Sequence, residues 1–157
     1  MVFSLPGTVV RLSPLICFED VFPALSREAV RAGANLLINQ TNDAWFDGSS
    51  GSVQHMSHAV FRCVENRRPM VRAANTGVTC HIDRTGKARI LSGSDEASAL
   101  PGFAVYGVVI AADSSSKTVY TRFGDWVFAI PCAILMFVQM GLMVRESRSR
   151  RLGLQRP

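Results

Sequence analysis

Apolar and β-branched positions run through residues 8–18, TVVRLSPLICF, as a buried strand that ends at a cysteine, and DVFPALSREAVRAGA behind it reads as a helix. Residues 35–39, NLLIN, make a second short buried strand, and the polar, glycine-rich TNDAWFDGSSGS that follows is a loop. Val53, Met56, Val60, Cys63 and Val64 recur at helical spacing, so residues 53–67 form an amphipathic helix that stops at Asn66-Arg67-Arg68-Pro69. PMVRAAN is the next strand. TGVTCHIDRTGKARIL is a hairpin turning near Arg84-Thr85-Gly86, and FAVYGVVIA is a final strand before a serine-rich connection and RFGDW. The order strand, helix, strand, helix, strand, hairpin, strand predicts a layered α/β domain with a mixed sheet.

From Trp126 to Val144 the chain has 19 residues without a charge. As a helix they span about 28 Å, close to the roughly 30 Å of a bilayer's hydrocarbon core. The alternative is a buried core helix of a soluble protein; against it, the stretch is apolar on every face, starts with Trp126 at an interface position and stops at RESRSRR, so it predicts a transmembrane helix. Pro131, Gln139 and Gly141 are tolerated in a bilayer, where neighbouring groups re-satisfy the backbone. Arg145, Arg148, Arg150 and Arg151 follow at once; the positive-inside rule keeps them cytoplasmic and places everything before Trp126 on the far side, the periplasm in a bacterium. A headgroup-binding role for the same arginines is compatible with that topology. The expected division is residues 1–122 as a folded domain, 123–144 as the membrane segment and 145–157 as a basic tail.

Charge adds little beyond this tail. Lys and Arg number 17 against 12 acidic residues, but residues 145–157 hold five Arg and one Glu, which leaves 12 against 11 before them. A nucleic-acid binder spreads basic residues over a folded face, and only Lys87 and Lys117 occur as lysines, so no nucleic-acid partner is expected. The four cysteines, Cys17, Cys63, Cys80 and Cys132, form no CxxC pair, which argues against a zinc ribbon or a disulfide scaffold. His55 and His58 are three apart on a helix without an evident third ligand, so no metal site is expected, and His81 falls in the hairpin as a structural or exposed residue.

The string ICFEDVFP at residues 16–23, with NDAWF at residues 42–46, resembles the nitrilase, or carbon-nitrogen hydrolase, superfamily. Within it, RCVENRRP, RAANTGVT and RFGDW directly before a terminal membrane helix resemble the apolipoprotein N-acyltransferases, and that resemblance covers nearly the whole chain. It implies the C-terminal half of a nitrilase-like α-β-β-α sandwich with a mixed sheet, followed by one transmembrane helix. It implies a Glu-Lys-Cys triad in which Cys17 is the nucleophile, and it matches Glu19 to a glutamate kept two positions after it. Phe18 departs slightly from the tyrosine common there. Trp45 and Phe46 fall in a loop that lies beside the active site in the family, and Glu65 falls on the helix whose polar end packs near it. No cofactor is implied. The implied partners are a phospholipid acyl donor, a diacylglyceryl lipoprotein acceptor and the membrane itself, with the site on the extracytoplasmic face of the bacterial plasma membrane.

Cys17 at a strand-to-helix elbow would meet oriented backbone N–H groups, which favour a thiolate and can receive an oxyanion. Without the flanking motifs a lone cysteine is more often a small buried apolar residue, the role expected of Cys63, Cys80 and Cys132. Glu19 is equally readable as a carboxylate favouring the start of a helix, and Trp45 with Phe46 as the packing anchor of their loop. Residues 1–16 contain no Glu, Asp, Lys or His, so the triad cannot close in family order, and Lys87 and Lys117 lie downstream. The chain is therefore expected to be a piece of a longer enzyme, through a gene fragment, a split reading frame or a misplaced start. The alternatives are a membrane-tethered amidase and an inactive membrane-anchored remnant.

Overall fold

A computed structural model of the chain describes residues 1–46, 49–91, 103–111 and 116–153, with side chains through residue 148. The chain divides into two compact units, Met1–Arg122 and Phe123–Pro157. The first is built on a six-stranded sheet, β1 (Phe3–Ser4), β2 (Arg11–Ile16), β3 (Leu36–Thr41), β4 (Met70–Ala74), β5 (Cys80–Ile82) and β6 (Ala88–Ile90), ordered in space as in sequence. β2, β3 and β4 are parallel, so each step between them needs a crossover, supplied by α1 (Pro23–Arg31) and α2 (Gly51–Asn66). The outer pairs β1–β2, β4–β5 and β5–β6 are antiparallel. Pro14 is accommodated because β1 pairs only with Arg11 and Leu12, which leaves no ladder bond at Pro14 on that side for a missing N–H to break.

Strand alternation sends Leu15, Leu37, Met70, Cys80 and Ile82 to one face, where they pack with Val30, Ala59 and Cys63 of the two helices into the core. On the other face Leu12, Pro14, Leu36, Ile38 and Val71 are only half-buried, while His81 is buried beneath the Tyr106 ring, whose centroid lies 5.8 Å away. Burial and the nearby Arg89 push the His81 imidazole below its ordinary pKa.

The expected final strand is not one. Residues 103–111 join no ladder, although Tyr106, Val108 and Ile110 are half-buried and alternate with exposed Phe103, Val105 and Val109. Alternation records one-sided burial; a strand also needs a neighbouring edge to bond, and this segment is tied instead at Ala111, whose carbonyl accepts from Asn35 Nδ2 at 3.3 Å.

The hairpin between β5 and β6 turns where expected. Asp83 Oδ1 accepts from the Thr85 hydroxyl at 2.6 Å, the Thr85 N–H at 2.7 Å and the Lys87 N–H at 3.1 Å, and Gly86 takes φ of 90°. The Thr85 bonds are the largest cause holding the Asp83 carboxyl down at about 2. A depressed carboxyl stabilises the turn fully above the unfolded-state pKa of about 3.9 and loses that contribution as pH falls through the folded value. A carboxyl-carbon NMR titration should place the Asp83 midpoint near 2, and a midpoint at the ordinary aspartate value would mean that the turn bonds are not formed in solution.

At the end of the first unit, Arg68 Nη2 donates to the Ser116 carbonyl at 2.7 Å, the Thr118 hydroxyl to the Glu65 carbonyl at 2.6 Å, and the Thr121 hydroxyl to Asn66 Oδ1 at 2.9 Å. Arg27 caps the Thr121 and Arg122 carbonyls at 3.1 and 3.0 Å. These bonds clip residues 116–122, with the start of the short α3 (Val119–Phe123), onto α1 and α2. Gly124 then takes a positive φ of 61°, and α4 (Trp126–Gly153) begins. Its stretch Trp126–Arg148 is long and apolar enough to cross a membrane. The helix does not stop at Val144 but continues through the arginines; the side chains of Arg150 and Arg151 lie outside the described residues.

Candidate active site

β2 ends at Ile16, and Cys17 turns the chain with φ of 53°. A non-glycine residue in the left-handed region costs on the order of 1–3 kcal/mol and persists only when its surroundings hold it there. Two side chains hold this one. Glu19 Oε2 accepts the Ile16 N–H at 2.8 Å, and Asn39 Nδ2 on β3 donates to the carbonyls of Leu15 at 3.2 Å and Cys17 at 3.0 Å. The peptide joining Leu15 to Ile16 and the one following Cys17 are thus held, with Cys17 itself partly open to solvent.

The single helix expected after the elbow is broken in two. Cys17–Val21 is one 3-10 turn, Phe22 is extended, and α1 starts at Pro23. A proline disfavours α conformation in the residue before it, which forces the break at Phe22. Dipole support for a thiolate, expected from a long helix, shrinks to that of one short turn.

Directly under the elbow lies a buried charge cluster. Arg72 of β4 donates through Nη1 to Asp20 Oδ2 at 2.6 Å and Asn39 Oδ1 at 2.9 Å, and through Nη2 to Asp43 Oδ2 at 2.8 Å. His55 of α2 bridges the same carboxylates, Nε2 to Asp20 Oδ1 and Nδ1 to Asp43 Oδ1, both at 2.8 Å. The Thr41 hydroxyl donates to Asp43 Oδ1 at 2.9 Å. Asp20, Asn39, Asp43, His55 and Arg72 are all buried. Burial pushes the Asp20 carboxyl up, opposed by the Arg72 guanidinium and then by His55. The Arg72 guanidinium occupies the space between the two carboxylates, and among the described residues no group of three ligating side chains is arranged to hold a metal.

Residues 1–112 match the carbon-nitrogen hydrolase family. The chain belongs to that family. The apolipoprotein N-acyltransferase of Geobacter metallireducens is 48% identical over 136 residues, 87% of this chain and 25% of its own length. That of Thermotoga maritima is 34% identical over 145 residues, 92% of this chain and 27% of its own. This chain therefore spans about a quarter of the length of these relatives. A solved carbon-nitrogen hydrolase from Helicobacter pylori G27 superposes on 54% of this chain and 37% of its own with a TM-score of 0.49 at 15% identity.

Around the elbow of this carbon-nitrogen hydrolase domain, the residues singled out from sequence fall into different places. Phe18 stacks on the His55 ring, centroids 4.6 Å apart and planes at 21°, and Phe46 approaches both rings at 6.1 Å. Trp45 is 84% exposed, so it is not the packing anchor of its loop; half-buried Phe46 is. Glu65 grips Arg62 with two bonds of 2.6 and 2.8 Å, and Arg62 in turn donates to the Asp20 and Val21 carbonyls at 3.3 and 2.8 Å. Its link to the elbow is through Arg62. Lys117 Nζ donates to the Arg31 carbonyl at 3.0 Å, and Lys87 sits in the hairpin turn. Cys63 and Cys80 are fully buried, and burial pushes both thiols up, Cys80 to about 11. Cys132 is exposed on α4.

Sequence patterning missed Asp20, Asn39, Asp43, His55 and Arg72 as a group. A signal was present: Arg72 stands in the apolar strand Met70–Ala74 on the same side as Met70, and His55, Arg62 and Asn66 share the buried side of α2 with Ala59 and Cys63. Polar residues at core positions have to meet one another. Gly77, at φ of 93°, marks how tightly they do so, because a Cβ there would lie 2.7 Å from Asp43 Oδ2. Gly77→Ala is expected to cost about 1–3 kcal/mol through strain and displacement of Asp43, read as a lowered midpoint in urea unfolding; an unchanged midpoint would mean that Asp43 moves freely.

Proposed function

We propose that this chain carries the nucleophile-bearing part of a lipoprotein N-acyltransferase, with Cys17 as the nucleophile. The observation that carries this proposal is the cysteine held in a left-handed elbow at the end of the parallel strand β2, in a carbon-nitrogen hydrolase domain whose relatives are named apolipoprotein N-acyltransferases. The Cys17 sulfur attacks the ester carbonyl carbon of a phospholipid, and the carbon–oxygen bond breaks. The lysophospholipid oxygen takes a proton, and the acyl chain stays on sulfur as a thioester. The α-amino group of a diacylglyceryl-cysteine lipoprotein then attacks that carbonyl, the carbon–sulfur bond breaks, and the amine gives up its proton as the amide forms. Backbone N–H groups of the turn after Cys17 receive the oxyanion; Glu19 keeps the elbow in place, and Phe18, Trp45 and Phe46 offer an apolar surface to the acyl chain. Glu65 supports the same site through Arg62.

Both substrates are lipids, which is why residues 1–122 would work at a bilayer surface, with 123–144 as a membrane segment. By the positive-inside rule the basic tail 145–157 supports an extracytoplasmic site at a bacterial plasma membrane. The family resemblance assigns proton transfer from the thiol to a glutamate and a lysine, and residues 1–16 carry neither.

The test is a chimera in which this chain replaces the matching quarter of the Geobacter metallireducens relative. Incubated in proteoliposomes with an alkyne-tagged phospholipid and a diacylglyceryl-cysteine peptide, it should form a hydroxylamine-labile acyl group on Cys17 and N-acylate the peptide; Cys17→Ser should do neither. Hydrolysis of small amides without acyl transfer would favour a tethered amidase. A folded, membrane-inserted chimera that forms no thioester would favour an inactive remnant.

A further inference from the structure

We propose that Asp20, Asn39, Asp43, His55 and Arg72 are positioning residues for Cys17, a buried cluster that locks the elbow in its left-handed conformation and docks the loop 42–46 against it; this rests on Cys17 being the nucleophile proposed above. Burying ionised groups is expensive, and apolar side chains of similar volume often serve stability as well or better. A cluster of this kind is therefore poorly explained by stability alone.

Its wiring supplies an explanation. Every member sits on a different element: Asp20 on the turn that starts at Cys17, Asn39 on β3, Asp43 in the loop after β3, His55 on α2 and Arg72 on β4. The bonds converge on the elbow. Arg72 orients Asn39 by donating to its Oδ1, which turns the Asn39 amide nitrogen onto the Cys17 and Leu15 carbonyls. The other Arg72 bonds and His55 tie Asp20, three residues past the thiol, to Asp43, two residues before Trp45. Phe18, adjacent to Cys17, lies on the His55 ring.

The cluster reaches the elbow through hydrogen bonds to the Leu15 and Cys17 carbonyls and through the Phe18 ring, so it acts on Cys17 through geometry. Misplacing a reacting atom by about 1 Å can cost on the order of a hundredfold in rate.

Two variants test this. Asn39→Leu removes the clamp on the Cys17 carbonyl with little change in volume, and Arg72→Lys keeps the positive charge but loses the fork. Asn66→Leu is the control: Asn66 is as buried as Asn39, but its bonds go to Ser26, Arg62 and Thr121. In the chimera, both test variants should lower the rate of thioester formation at saturating phospholipid by about tenfold to a hundredfold with KM unchanged, while Asn66→Leu lowers Tm and leaves the rate within about twofold. In the 157-residue chain in detergent micelles, alkylation of Cys17 by iodoacetamide, followed by peptide mass spectrometry, should change by about tenfold or more in Asn39→Leu and Arg72→Lys and stay constant in Asn66→Leu. Equal alkylation rates in all folded variants would overturn the positioning role. A wild-type chimera without thioester would sink the acyl-transfer proposal instead, and the alkylation comparison would still decide the role of the cluster.

Discussion

Arg72→Met is expected to destabilise the Met1–Arg122 unit more than any other single change, by about 3–5 kcal/mol, because it leaves Asp20 and Asp43 buried without their cation. The guanidinium touches both carboxylates, Asn39 and the edge of His55, and both carboxylates are buried. The loss should show as a shifted midpoint in chemical denaturation followed by amide hydrogen exchange of β3 and β4, the strands that flank the cluster. Methionine fills most of the volume, so a cavity contributes little, and removing the carboxylates as well in Asp20→Asn/Asp43→Asn/Arg72→Met should recover part of the stability. A single substitution costing less than about 1 kcal/mol would mean that the carboxylates had taken up protons at no cost, contrary to the short contacts.

The second large effect separates chemistry from stability at one position. Cys17→Gly and Cys17→Ala should both abolish thioester formation in the chimera, since neither leaves a nucleophile, yet they should differ in stability. Glycine adopts φ of 53° without the steric cost that a Cβ carries, so Cys17→Gly should be more stable than Cys17→Ala by about 1 kcal/mol in the same denaturation assay. This ordering reverses the usual one at a strand end, where alanine is preferred to glycine. Alanine coming out the more stable would show that the elbow is not held in the left-handed region in solution, and would remove the structural ground for assigning the nucleophile.

Much of the fold was legible in the chain before any coordinates. Strand β2, both crossover helices, strands β3 and β4, the hairpin at Asp83 and the apolar helix from Trp126 each follow from short-range periodicity and turn chemistry, and the structure contains all of them. These features are local, set by which residues within a dozen positions share a face or permit a turn. Pro23 was equally visible but its consequence, the break at Phe22, was read through as continuous helix. FAVYGVVIA had the alternation of a strand and still failed to become one, because pairing depends on an available edge, which no window of sequence contains.

The candidate site divides along the same line. By itself the sequence determined that a cysteine stands where an apolar strand gives way to a polar turn, that its motifs are those of the carbon-nitrogen hydrolases, and that the uncharged stretch from Trp126 is helical. Only the tertiary structure decided what holds the cysteine. Asp20, Asn39, Asp43, His55 and Arg72 are spread over more than fifty residues, and each alone passes for an ordinary polar side chain. Their meaning is in their meeting: stacking three parallel strands beneath one helix removes water from all five at once, and buried polar groups must then satisfy each other or destabilise the fold. That requirement acts across space rather than along the chain, which is why it could not be read from spacing.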